Sequence, residues 1–165
     1  MENKNEKGSS REQFTLSLAL VDALPVLFFG AAAVVLGMKL RSALFFAGAV
    51  VCLLAGAGKV LWKLILALGG KDVRLLGAQL RYLMPLGFAL MLVGAVASDR
   101  AVLGQLLHAA VRLPSALFFA GTVVGLAGMI LCARRFDRRD VRGNWIEQGI
   151  NAAAQGCALL GVLFL

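Results

Sequence analysis

Five long apolar runs separated by short polar stretches dominate the chain, at 14–38, 43–68, 80–98, 113–133 and 145–165. A helix needs about 20 largely apolar residues to cross the hydrocarbon core of a bilayer, and each run approaches or exceeds that length. The pattern predicts an all-α fold. It is a polytopic membrane protein of five transmembrane helices in a single domain, 14–165, preceded by a short cytoplasmic tail, 1–13. The last run differs from the others because polar residues recur along it: Asn144, Glu147, Gln148, Asn151 and Gln155. At 3.6 residues per turn all five fall within an arc of about 100°. Hydrocarbon offers no partner for such a stripe, so the stripe must face protein or a solute held within it.

The even-numbered runs open on nearly the same string. Residues 42–53 read SALFFAGAVVCL and residues 115–126 read SALFFAGTVVGL, ten of twelve positions being identical. Two duplicated helical hairpins plus a fifth helix are the simplest expectation, with Pro25 and Pro85 as a weaker echo in the odd-numbered runs. Repeats of this kind are common in transporters, where the site lies between the halves. A looser copy in the first run, Leu27-Phe28-Phe29-Gly30 followed by Val34-Val35, would run the opposite way and argues instead for shared composition. Small residues such as Gly30, Gly48, Gly56, Gly121 and Gly125 are spaced to let helix backbones approach closely. Between the third and fourth runs, Val102, Leu103, Leu106, Leu107 and Val111 are spaced for a short amphipathic helix on the outer interface.

Composition agrees with this reading: 60% of residues are hydrophobic, mean hydropathy is +0.84, and only 16% are charged, against about 25% in soluble domains. The net charge of +8 is distributed by loop. Lys59, Lys63, Lys71, Arg74 and Arg81 flank the second connection, and Arg134, Arg135, Arg138, Arg139 and Arg142 the fourth. The first holds only Lys39 and Arg41, the third only Arg100 and Arg112. The positive-inside rule therefore predicts the N-terminus in the cytoplasm and the C-terminus outside, in a plasma membrane of bacterial type. The flank 1–13 balances Lys4, Lys7 and Arg11 against Glu2, Glu6 and Glu12, and Asp22 interrupts the run behind it. The first run is thus read as a retained helix and not a signal peptide. The arginine cluster predicts binding of anionic lipids at the cytoplasmic face and not of nucleic acid. A homo-oligomer or a larger membrane complex is the expected assembly for so small a unit.

Three cysteines without a CxxC pair, and a single histidine, predict no metal and no cofactor. No nucleophilic triad, paired catalytic carboxylates or phosphate-binding glycine loop is present, so catalysis is the less favoured expectation. The polar residues that do lie in apolar runs share one depth. Asp22, Lys59, Arg81, Glu147, Gln148, Asn151 and Gln155 all fall in the cytoplasmic half, and they are the candidate substrate-binding residues. Each has a plainer competing reading. Asn144 and Glu147 have N-cap and N3 spacing; Asp22 is placed to cap a shorter first helix; Lys59 and Lys63 can snorkel to headgroups; the amides can act as interhelical glue. Capping does not reach Asn151 or Gln155, two to three turns inside. An Asp22–Lys59 ion pair would offset the cost of a lone charge in the bilayer.

Taken together, these features predict binding or transport of a small polar or anionic solute through a cytoplasm-facing intramembrane pocket. Two alternatives stay open: an intramembrane enzyme acting on a lipid or isoprenoid, and a membrane scaffold whose polar stripe docks a partner helix.

Overall fold

Two helices joined by a very short turn begin the architecture. The computed structural model describes residues 16–68, 73–135 and 141–165. The tail 1–13, Lys71, and residues 137–140 with Arg138 and Arg139 lie outside the described residues. Helix α1 (Leu16–Lys39) and helix α2 (Ala43–Ala67) are separated only by Leu40, Arg41 and Ser42. Arg41 takes a left-handed conformation at φ 51 to reverse the chain. Ser42 caps α2 by accepting a hydrogen bond from the Phe45 amide at 3.3 Å, which satisfies one of the amides that a helix start leaves without an internal partner.

A short helix α3 (Arg74–Ala78) leads through Gln79 into α4 (Leu80–Val96). Helix α5 (Arg100–Ala110) follows, its first turn capped by Asp99, whose carboxylate accepts from the Ala101 amide at 2.8 Å. No residue of α5 is buried, and Leu107 and the following Val111 are exposed, as suits a helix lying along an apolar–water boundary. Helices α6 (Ser115–Arg135) and α7 (Val141–Leu163) complete the chain. Among the described residues there is no strand.

Four segments are long and apolar enough to cross a membrane: Leu20–Lys39, Ala43–Leu66, Leu75–Val96 and Ser115–Cys132. That is the pattern of a multi-pass integral membrane protein. Helix α7 has the length, at 23 residues, but Glu147, Gln148, Asn151 and Gln155 lower its hydropathy, and it is not among the four.

Packing runs in the order α4, α2, α1, α7, α6, each helix having its extensive interfaces only with its neighbours in that row. The tightest join is α2 against α4. A Cβ on Gly48 would lie 2.6 Å from the Gly87 carbonyl oxygen and 2.7 Å from the Met91 amide nitrogen, and one on Gly94 would strike the Phe45 backbone. The two backbones therefore touch, an arrangement only glycine permits. The repeated string opens both α2 and α6, and its glycine meets the next long helix each time: Gly48 faces α4, and Gly121 faces Cys157 of α7.

At one end of the bundle, the closed end, the long helices are joined directly, and a cleft of about 480 Å³ lies outside that join between the α1–α2 turn, α5 and Leu165. There the Ser42 hydroxyl donates to the Gly94 carbonyl at 2.9 Å, Lys39 Nζ donates to the Leu163 carbonyl at 3.3 Å, and the rings of Phe118 and Phe164 stack at 5.5 Å. Leu40, Phe45, Ala49 and Val162 are buried nearby. At the opposite end the row curls around a cavity.

Candidate functional site

The cavity has a volume of about 360 Å³ and takes wall residues from all five long helices. That volume lies near the lower limit for small-molecule sites, which run from about 300 to 1,000 Å³. Its layering follows from helix direction. The N-terminal parts of α1, α4 and α7 and the C-terminal parts of α2 and α6 meet at this end, so depth can be counted along each helix. Asp22 of α1, Lys59 of α2, Leu80 of α4 and Glu147 of α7 form the outermost layer. Gln148, Asn151 and Gln155 descend one face of α7 over about 10 Å at 1.5 Å per residue. Phe29 of α1 and Phe88 of α4 close the bottom, their rings 5.7 Å apart and tilted by 54°, with Cys52 of α2 beside them.

Six of the seven residues singled out by sequence therefore line one cavity: Asp22, Lys59, Glu147, Gln148, Asn151 and Gln155. Arg81 is not in the lining and is exposed. Its neighbour Leu80 faces inward instead, followed at intervals of four by Met84 and Phe88, a spacing that keeps a single face of α4 toward the cavity. Arg81 sits about 100° around the helix from that row.

Asp22 is 8% exposed and pairs with Lys63, not with Lys59. The two lysines are one turn apart on α2, and the side chain of Lys63 is 14% exposed. Asp22 lies within α1, beyond its first described turn, so it does not cap a shorter helix. Nor is Asn144 an N-cap, because α7 already begins at Val141. The ion pair ties α1 to α2 at the rim of the cavity and leaves two lining charges, Lys59 and Glu147, with no hydrogen bond or ion pair among the described residues. Gln148 holds a buried side-chain oxygen, Oε1, that also meets no donor there. Buried acceptors of this kind cost about 1–3 kcal/mol when unmatched, and polar cavities are where such mismatches persist for a ligand or water to resolve.

The apolar part of the wall was not signalled by the polar pattern. Pro25, Val26 and Phe29 come from α1, Leu80, Met84 and Phe88 from α4, and Met129 from α6. Only the four-residue spacing of the α4 row could have revealed it. No group of three or more metal-ligating side chains occurs among the described residues. No family model, curated protein or solved structure matches the chain.

Proposed function

We propose that this chain is a five-span membrane protein that binds and moves a small polar or anionic solute through the cavity, with its mouth toward the cytoplasm. Helix α7 serves as the fifth span, its polar stripe turned inward and its 23 residues long enough to cross. The N-terminus and the arginine-rich connection lie inside by the positive-inside rule. The duplicated unit is read as α2–α4 and α6–α7, one step along from the sequence expectation, because Gly48 and Gly121 occupy matching places against the helix that follows. Helix α1 is then the unmatched element, set between the two hairpins.

The observation that carries the reading is the convergence of Lys59, Glu147, Gln148, Asn151 and Gln155 on one cavity in a region otherwise apolar. Ionisable and amide groups at membrane depth are costly unless they serve a site or a pathway. The test is thiol accessibility in oriented vesicles. On a background lacking Cys52, Cys132 and Cys157, the variants Gln148→Cys, Asn151→Cys and Gln155→Cys are exposed to an impermeant reagent from each side. Labelling from the cytoplasmic side alone supports a wet inward cavity. Protection from both sides means dry packing, which overturns the reading and favours a scaffold that docks a partner helix.

A second reading, an intramembrane enzyme acting on a lipid, draws on the apolar row Leu80, Met84 and Phe88 beside the Glu147 carboxylate. Glu147 is then the proton carrier, and Glu147→Gln abolishes turnover of a lipid substrate while leaving its binding in place.

A further inference from the structure

Helices α4 and α6 stand at opposite ends of the packing row yet both contribute to the cavity wall. Helix α4 is held by α2 and α6 by α7, and the two share at most a grazing contact with each other. The cavity therefore has a seam on the side where α4 and α6 approach, facing the hydrocarbon. The two edges of that seam are apolar: Met84 and Phe88 on α4, Met129 on α6. Phe88 is 50% exposed. The walls on either side, α2 and α7, carry Lys59, Glu147 and the amides, and α1 stands opposite with Asp22 above Pro25, Val26 and Phe29. A hydrophobic doorway leading between polar side walls is the shape of a site for an amphiphile.

Charge narrows the class. The Asp22 carboxylate is already paired with Lys63, so among the described lining residues the charges with no hydrogen bond or ion pair are the cation Lys59 and the anion Glu147, which do not reach each other. A head with negative charge alone would face Glu147 as a like charge, and a purely cationic one would face Lys59. A head carrying both signs answers both. A volume of about 360 Å³ accommodates such a head but not two acyl chains, which must remain outside the seam.

We propose that the ligand of this cavity is a membrane lipid whose head bears both an amine and a phosphate, admitted sideways between α4 and α6. Its phosphate meets Lys59, its ammonium meets Glu147, and its chains rest against Met84, Phe88 and Met129 on their way to the bilayer. The proposal rests on the reading of the cavity as a wet binding site, and it replaces a free solute with a lipid-borne head.

The experiment uses the full chain in vesicles of an uncharged glycolipid doped with photoreactive phosphatidylethanolamine, its diazirine placed early in one acyl chain. Phosphatidylglycerol with the same chain is the comparison. The expected result is crosslinking to peptides containing Met84 and Met129, about tenfold stronger for the ethanolamine probe, a ratio that corresponds to about 1.4 kcal/mol. Lys59→Gln and Glu147→Gln each reduce that labelling by roughly tenfold. Lys59→Arg preserves it and shows that the site still folds, while Val123→Ala, on an exposed face of α6, leaves it unchanged. Equal labelling by both lipids, or labelling spread evenly along the exposed faces, overturns the proposal. Water-soluble phosphoethanolamine that shields Asn151→Cys from a thiol reagent, with no acyl-chain crosslink at the seam, overturns sideways entry but keeps the cavity as a site for a free solute. Failure of the thiol reagent to reach Asn151→Cys from either side overturns the underlying reading together with this one.

Discussion

The two ends of the bundle are built on opposite plans. At the closed end, the Phe45 backbone lies against Gly94, hydroxyls of Ser42 and Ser98 both donate to the Gly94 carbonyl at 2.9 and 2.7 Å, and Leu40, Phe45, Ala49 and Val162 are buried. At the open end the same helices splay around charges and amides that largely lack partners within the described residues. On the proposed reading, the difference separates the part that holds the protein together from the part that binds. Close packing and satisfied hydrogen bonds hold the closed end together. Unmatched polar groups at the other end cost stability and are retained where a ligand completes them. Substitutions at the closed end should thus unfold the protein without altering the site's selectivity, and those at the open end should do the reverse.

The largest expected effect breaks this division, because one feature of the open end is structural. Asp22 and Lys63 form an enclosed ion pair between α1 and α2. Removing Lys63 strands the buried Asp22 carboxylate, which costs about 3–5 kcal/mol in buried pairs. Lys63→Ala should lower the unfolding midpoint sharply in detergent, and the exchange Asp22→Lys with Lys63→Asp should recover part of the loss. A small effect for Lys63→Ala would mean that the carboxylate belongs to the ligand-binding set and not to the frame.

At the closed end, Gly94→Ala drives a methyl group into the Phe45 backbone. Helices α2 and α4 must separate, at a cost of about 2–3 kcal/mol by analogy with overpacked cores. The control is Gly149→Ala, where an added Cβ meets nothing within 4 Å and the gain in helix propensity is up to about 1 kcal/mol. Thermal unfolding of the two variants should move in opposite directions.

The contrast between the ends also explains what could be read from the sequence. Helices were legible because apolar runs of membrane length tolerate few other structures: the runs at 14–38, 43–68 and 113–133 correspond to α1, α2 and α6. The grouping of Asp22, Lys59 and Glu147 was legible too, since counting residues along each helix brings them to one end of the bundle, and all three line one cavity. Rotation was not. Lys59 and Lys63 lie on neighbouring turns, and only the angle at which α2 meets α1 decides that Lys63 takes Asp22. Arg81 falls at the cavity end of α4 but outside the lining, because in a helix as uniformly apolar as α4 no polar stripe marks the inward side. The same uniformity hid Met84, Phe88 and Met129, whose role depends on which helices stand beside them.

Ser42→Ala sharpens the comparison with a moderate effect. It removes both the cap to the Phe45 amide and the hydroxyl donated to Gly94. A cap is typically worth about 1 kcal/mol and a single hydrogen bond a similar amount, so a loss of about 1–2 kcal/mol is expected, with thiol accessibility of Asn151→Cys at the far end unchanged. A change in accessibility would show that the two ends are coupled and would undo the division between them.

The smallest effect is the most pointed. Gln148 keeps a buried oxygen with no donor among the described residues, so it subtracts from stability in the ligand-free protein. Gln148→Met retains the length and helix preference of the side chain while deleting the unmatched acceptor. It should raise stability by up to about 1 kcal/mol, measured by denaturant unfolding, and at the same time weaken crosslinking of the photoreactive ethanolamine lipid. Residues that stabilise only the packed protein lose stability when truncated, whereas residues held in reserve for a ligand gain it. If Gln148→Met instead destabilises the chain, the amide is part of the packing, and the open end is no different in kind from the closed one.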